Sequence, residues 1–190
     1  LLIDADAAGL FIYYRNVGVS VRHVVFDMLP VQMPQFFPIG SDASHTKWLQ
    51  AIAKFDGALC ISKTVANELS AWFETNGSKR ERTFKIDWFH LGADVKNSAP
   101  TAGLPKGAEE TLSQLSARPC FLMVGTIEPR KGYLQTLEAF TQLWHEGIDI
   151  NLVIVGNEGW KSLPEDVRRT IPEVVKRLRN HAELNKRLFW

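Results

Sequence analysis

The chain has 190 residues, a formal net charge of +1 at pH 7, and a composition that is 45% hydrophobic and 23% charged. This length can bury one core or two small ones, and the near-neutral charge argues against nucleic acid as the main partner. No apolar run approaches the length of a membrane-spanning helix. No group of cysteines and histidines has the spacing of metal ligands, so we expect no metal site. Cys60 and Cys120 both lie in apolar runs and are predicted to be buried free thiols.

The first half of the chain alternates between strand and helix patterns. Short apolar or β-branched runs predict strands over 1–6, 19–28, 57–61 and 84–91, and 7–17 has the pattern of a helix or turn region. Strands that alternate with helices in this way are typical of an α/β fold with a parallel sheet.

Two longer helices are predicted between these strands. The first would be capped by Asp42 or Ser44 and would end near residue 55. The second would cover 63–73, directly after Ser62, which has the side chain of a helix cap.

A change of composition divides the chain. Residues 95–107 contain two prolines and two glycines and few apolar side chains, which is typical of a linker, and 108–115 has the pattern of a short helix. We therefore predict a first domain over 1–94, a linker over 95–117 and a second domain over 118–190.

The second domain opens with a strand–loop–helix–strand pattern. The apolar run 120–124, interpreted as a buried strand, ends at Gly125, and a second apolar run ends at Gly156. The helix between them has one apolar stripe, formed by Leu134, Leu137, Phe140 and Trp144. A further helix is predicted over 163–180, ended or kinked by Pro172, and a third strand over 187–190.

The loop after the first of these strands carries the chemistry. Ligands of parallel sheets bind beyond the carboxyl ends of the strands, and Gly125 lets a ligand approach the backbone closely. Arg130 and Lys131 bring two positive charges to the start of a helix, where free N–H groups also favour an anion. A phosphate or diphosphate fits these groups. The alternative is a solvated basic pair that is neutralised by Glu128 or Glu138.

Three segments resemble glycosyltransferase family 4. They are 124–132, which reads V-G-T-I-E-P-R-K-G, 137–140, which reads L-E-A-F, and 152–160, which reads L-V-I-V-G-N-E-G-W. The resemblance is closest to bacterial mannosyltransferase-like members that build surface polysaccharides. It implies a GT-B enzyme, with two Rossmann-like parallel-sheet domains that are each only partly present. Because both ends of the chain lie in strand-like runs, we expect an internal piece of a longer polypeptide.

The resemblance also implies roles for individual residues of the donor domain. Arg130 and Lys131 match the residues that contact the diphosphate of a sugar nucleotide, next to the backbone of Gly125 and Thr126. Some members carry Arg at the position of Thr126, so one phosphate contact is lost here. Further donor or cleft residues are expected at Glu128, Gly156, Asn157 and Ser62.

In the first domain the resemblance points to the segment around Asp27. Family members often carry the pattern H-D-x-x-P at the cleft between the domains, and here Phe26 replaces the catalytic histidine while Asp27 remains. Asp27 is therefore the expected catalytic residue. Its alternative role is that of a turn-forming or helix-capping aspartate.

The implied activity is that of a retaining glycosyltransferase. It would transfer a hexose from a nucleotide sugar to a glycan or lipid-linked glycan in surface polysaccharide synthesis. Mannose is the expected hexose and GDP-mannose the expected donor. No metal or other cofactor is expected, and the implied location is the cytoplasm or, by peripheral association, the inner face of the membrane. A Rossmann oxidoreductase is disfavoured because no G-x-G-x-x-G follows a predicted strand. The remaining alternative is a non-catalytic module that binds a glycan or a protein partner with the same scaffold.

Overall fold

The computed structural model describes residues 9–77, 83–94 and 103–190. The chain divides into two compact units, Leu1–Asp94 and Val95–Trp190, and each unit contains a three-stranded parallel sheet. This confirms the predicted α/β class, with two partial Rossmann-like sheets. The predicted strand over 1–6 and the first part of the predicted linker, 95–102, lie outside the described residues.

The first sheet has the strand order β1-β2-β3. Its strands are β1 (Arg22–Val25), β2 (Gly57–Cys60) and β3 (Lys85–Trp88), each shorter than the apolar run that predicts it. All neighbours pair in parallel. The carboxyl ends of the three strands therefore share one edge of the sheet.

Four helices of the first unit are described. They are α1 (Leu10–Asn16), α2 (Leu29–Gln32), α3 (Ser41–Ile52) and α4 (Lys63–Asn76). Ser62 caps α4 as predicted, because its Oγ accepts a hydrogen bond of 3.2 Å from the backbone N–H of Val65. The predicted cap of α3 is wrong. Gly40, in the left-handed region at φ 86°, precedes this helix without a side-chain hydrogen bond, and Asp42 already lies in its first turn.

The core of the first unit lies between the sheet and two of its helices. Its fully buried members are Val25, Met28, Leu49, Ile52, Ala58, Cys60 and Leu69. The prediction for Cys60 is confirmed, since its thiol is free and buried. Burial raises the pKa of this thiol to about 11.

The second sheet has the strand order β4-β5-β6. Its strands are β4 (Cys120–Val124), β5 (Asn151–Val155) and β6 (Leu188–Phe189), all paired in parallel. Its helices are α5 (Ala108–Ser116), α6 (Tyr133–His145) and α7 (Ile171–Arg179). Leu152 and Ile154, alternate residues of β5, join the buried faces of α6 and α7 in one core.

The edge strand β4 corrects two predictions. Leu122 and Val124 are 63% and 71% exposed, and Cys120 is a free but exposed thiol. Among the described residues β4 pairs with β5 alone, and the core with α6 and α7 lies on one face of the sheet, which leaves Leu122 and Val124 uncovered.

The segment before α7 corrects a further prediction. Only Ile171–Arg179 of the predicted helix over 163–180 is α-helical, and Glu165–Val167 forms a single 3-10 turn. Pro172 does not interrupt the helix but stands in its first turn, where a missing backbone N–H leaves no hydrogen bond unmade. In the part of the chain that the structure describes, no helix combines the length and hydrophobicity needed to cross a membrane.

Candidate anion-binding site

Two loops lie side by side at the carboxyl ends of β4 and β5. The N–H of Gly125 donates to the carbonyl of Val155 over 2.9 Å, and the N–H of Ile127 donates to the carbonyl of Asn157 over 2.8 Å. The N–H of Gly159 returns a hydrogen bond of 3.1 Å to the carbonyl of Ile127. The structure therefore brings together the two loops that the sequence predicts at this edge.

Close backbone packing explains the glycines of the second loop. A Cβ atom at Gly156 would lie 1.9 Å from the carbonyl oxygen of Gly125, and one at Gly159 would lie 2.7 Å from the carbonyl oxygen of Ile127. Neither position has space for a side chain, so both glycines are required by the approach of the two loops.

The side chain of Lys131 lies over the bare backbone of Gly125. Gly125 has φ 146°, and a Cβ atom added there would stand 2.8 Å from the Nζ atom of Lys131. Lys131 is half-buried and follows Pro129 in a 3-10 turn, Pro129–Lys131, that leads into α6. The ammonium group is thereby held at the mouth of a glycine-ended strand, a position from which it can bind an anion.

Arg130 forms the ion pair that the alternative interpretation of the basic pair requires. Its guanidinium lies 3.0 Å from Oε2 of Glu128, whose side chain is 16% exposed. Glu138 is not this partner, because its carboxylate pairs with Arg177 at 2.9 Å. A guanidinium has five N–H donors, so one carboxylate contact leaves Arg130 the capacity to bind a phosphate as well.

Tyr133 is a site residue that the sequence did not reveal. Its hydroxyl donates a hydrogen bond of 2.5 Å to the carbonyl of Gly125, and the residue is 3% exposed. Burial and, to a smaller extent, the nearby Glu128 carboxylate raise the pKa of Tyr133, so the hydroxyl remains protonated. Tyr133 is the first buried residue of α6, and the predicted Leu134 packs, half-buried, against the same core. The signal available in the sequence was an aromatic residue with a polar tip directly after the loop.

Trp190, the residue after β6, contacts the second loop. Its indole N–H donates to the carbonyl of Gly156 over 2.9 Å, and the guanidinium of Arg179 lies 5.9 Å from the centre of its ring. Thr126 and Asn157, predicted as donor or cleft residues, have exposed side chains on the two loops. The predicted residues of the second unit thus all lie on these two adjacent loops.

Asp27 and Ser62 lie in the first unit, after β1 and β2. Oδ1 of Asp27 accepts a hydrogen bond of 3.1 Å from the N–H of Leu29, two residues later, which is the turn-forming role that the sequence left open. His45 of α3 lies near Asp27. Burial lowers the pKa of His45, and the Asp27 carboxylate opposes that shift. A histidine that was not predicted from the sequence thus lies near Asp27.

Comparison with known proteins shows what the chain is similar to. Residues 110–186 match the family model described as "Glycosyl transferases group 1". Three Escherichia coli proteins, each named "Serotype-specific mannosyltransferase WbdA", are 40%, 40% and 39% identical to the chain over 179 residues. The match to the group 1 glycosyltransferases covers most of the second unit of the chain. This confirms the resemblance drawn from the sequence.

The alignments cover this chain and its relatives very unequally. They include 93% of the chain but 21%, 20% and 21% of the three relatives, so the chain spans about a fifth of their length. No solved structure matches the chain. Both loops of the site fall inside the segment that matches the family model, whereas Asp27, Ser62 and Trp190 fall outside it.

Proposed function

We propose that the second unit binds the donor of a retaining glycosyltransferase, which transfers a hexose from a nucleotide-diphosphate sugar to a glycan acceptor. The observation that carries the proposal is the Lys131 ammonium held over Gly125 at the carboxyl end of β4, where ligands of parallel sheets bind. The relatives are named mannosyltransferases, which favours mannose as the hexose. GDP-mannose as the donor and a surface polysaccharide as the product are part of the proposal, as the resemblance implies.

The residues of the site fit the charge that develops in this reaction. As the bond between the sugar and the diphosphate breaks, negative charge builds up on the leaving diphosphate. The ammonium group of Lys131 and the guanidinium of Arg130, which can make two parallel hydrogen bonds, offset that charge. Both groups are already in position before the reaction begins. Gly125 and Thr126 let the phosphates approach the backbone. In this proposal the two cations do the work without a metal ion.

Glu128 has a defined place in the proposal. Its carboxylate pairs with Arg130 in the structure described here. An incoming diphosphate therefore either binds the guanidinium beside this carboxylate or displaces it. An anion that makes two hydrogen bonds to the fork competes well with a single carboxylate contact. Glu128 thereby keeps Arg130 in place until the donor arrives.

The first unit supplies the acceptor side in this proposal. The hydrogen bond from Leu29 holds the Asp27 carboxylate at the edge of the first sheet, and we assign Asp27 the role of contacting the acceptor hydroxyl. The acceptor is a glycan or a lipid-linked glycan. We therefore place the enzyme in the cytoplasm, in peripheral contact with the membrane that carries such a lipid.

Ligand binding and transfer by the full-length protein test the proposal. GDP or UDP is expected to raise the melting temperature, whereas NAD is not. Transfer from GDP-mannose is expected to continue in EDTA, with retention of the anomeric configuration.

Lys131→Ala is expected to lower turnover at least about tenfold, which corresponds to an increase of about 1.4 kcal/mol in the activation free energy. Lys176→Ala, which removes an exposed lysine of α7, is the matched control. If neither nucleotide binds and no donor sugar is consumed, the enzyme assignment is wrong and a non-catalytic binding module replaces it.

A further inference from the structure

Arg168 is buried in an unusual way. Within the ranges that the structure describes it is the only buried residue with a charged side chain, at 6% exposure. Its guanidinium pairs with Oε1 of Glu158, in the second loop of the site, and its Nε is buried without a hydrogen-bond partner. Glu158 is itself largely buried, with 17% of its side chain exposed.

Stability does not explain this ion pair. Removing two charges from water costs several kcal/mol for each ion, and their mutual attraction often does no more than offset that penalty. The unpaired Nε–H adds a further penalty of about 1–3 kcal/mol. Apolar side chains of similar volume would stabilise the fold at least as well. The reason for the pair is therefore to be sought in what it holds in place.

The pair holds the second loop against the first. Glu158 forms a parallel bridge with Ile127, and both neighbours of Glu158 exchange backbone hydrogen bonds with Ile127, which is fully buried. The next residue of the first loop is Glu128, the partner of Arg130. A Cβ atom at Gly159 would lie 3.3 Å from Cγ of Glu128, so the second loop also touches the side chain that orients Arg130.

Arg168 is itself firmly placed. Its N–H donates to the carbonyl of Glu165 over 3.1 Å, at the end of the 3-10 turn Glu165–Val167. Its carbonyl accepts a hydrogen bond of 3.2 Å from Ile171, the first residue of α7. A rigid anchor at the start of α7 is thus connected through Glu158 to the loop that carries the two cations.

We propose that Arg168 is a positioning residue of the donor site, which acts through Glu158 to hold Arg130 and Lys131 at the spacing that a diphosphate requires. The inference rests on the proposed function. Arg168 touches neither the donor nor the acceptor in this role. Its loss therefore raises the KM for the nucleotide sugar and leaves the KM for the acceptor unchanged.

A set of variants of the full-length protein separates positioning from stability. Arg168→Met leaves the Glu158 carboxylate buried and unpaired, so it lowers the melting temperature as well as donor affinity. The double variant Arg168→Met, Glu158→Leu removes both charges and recovers the melting temperature, because an apolar pair replaces the ion pair. If the pair positions the loop, the donor KM of the double variant is still raised at least about tenfold, since small misplacements of binding groups are costly. Arg168→Lys restores part of the donor affinity, because an ammonium pairs with Glu158 without the fork geometry.

Glu158→Gln is the milder second variant, in case the double variant does not fold. It keeps the shape of the side chain and removes its charge, and it is expected to raise the donor KM with little change in the acceptor KM. A wild-type donor KM in a folded double variant, or in Glu158→Gln, would overturn the positioning role while leaving the proposed function intact. If the wild-type protein neither binds GDP or UDP nor transfers a sugar, the proposed function fails and the positioning role fails with it.

Discussion

Replacing Gly125 by alanine tests the central contact of the site. The added methyl group would stand 2.8 Å from Nζ of Lys131, while the methylene carbons Cδ and Cε lie at ordinary distances of 3.5 and 3.6 Å. The clash thus falls on the far end of a flexible side chain. We expect the fold to persist and the ammonium group to move away from the mouth of the strand.

The size of the effect follows from this geometry. Non-bonded heavy atoms prefer separations of about 3.5–4.0 Å, so Nζ must retreat by roughly 1 Å. If Nζ lies about 3 Å from a phosphate charge and moves to about 4 Å, the attraction between the two charges weakens by about 1.4 kcal/mol at an effective dielectric constant of about 20. That loss corresponds to about a tenfold decrease in kcat/KM. Alanine at φ 146° adds backbone strain, which lowers stability by about 1–3 kcal/mol.

Steady-state kinetics and thermal unfolding of the full-length protein separate these two effects. Gly147→Ala is the matched control, because Gly147 also has a positive φ, 83°, but a Cβ atom there would meet nothing within 4 Å. Both variants are expected to lose stability, and only Gly125→Ala is expected to lose kcat/KM for the donor. Equal kcat/KM values for the two variants would refute the assignment of Lys131 to the donor.

Three further predictions concern packing and protonation. Gly156→Ala places a methyl group 1.9 Å from the carbonyl oxygen of Gly125. Such overpacking lowers the free energy of unfolding by at least about 1–3 kcal/mol. A melting temperature equal to that of Gly147→Ala would contradict the close approach of the loops. Cys60, with its pKa raised by burial to about 11, is protonated at pH 8 in all but about one molecule in a thousand. A thiol reagent is therefore expected to modify Cys60 only after urea unfolding, and mass spectrometry of the native protein showing rapid modification would disprove this. Burial lowers the pKa of His181 below 6.5, so the unfolded chain takes up this proton first as the pH falls, and stability decreases below about pH 6.5. Thermal unfolding between pH 7 and 5 should show a smaller decrease for His181→Gln, and identical slopes would rule out the effect.

The sequence was sufficient to predict the architecture around the site. Apolar runs of strand length that alternate with an amphipathic helix indicate parallel strands, and parallel strands place their carboxyl ends at one edge. That reasoning located Gly125 and Gly156 on adjacent loops, which the structure confirms. It could not reveal that Arg130 pairs with Glu128 rather than Glu138, because both carboxylates lie close in the sequence.

The errors came from features that local patterns do not contain. The apolar run 120–124 resembles a buried strand, but its exposure depends on which strand lies at the edge of the sheet. The segment 163–170 has helix-forming residues, yet only a 3-10 turn forms there and Pro172 begins the helix. Local propensity is a weak constraint, and tertiary contacts override it.

By itself, then, the sequence determined the order of strands and helices, the glycine-ended strands and the two cations between them, because these depend on residue type and short-range spacing. Only the tertiary structure assigned Tyr133, Trp190 and Arg168 to the site. Their partners lie 8, 34 and 10 residues away, and hydrophobic periodicity shows which residues share a face but not which polar atoms meet across two loops.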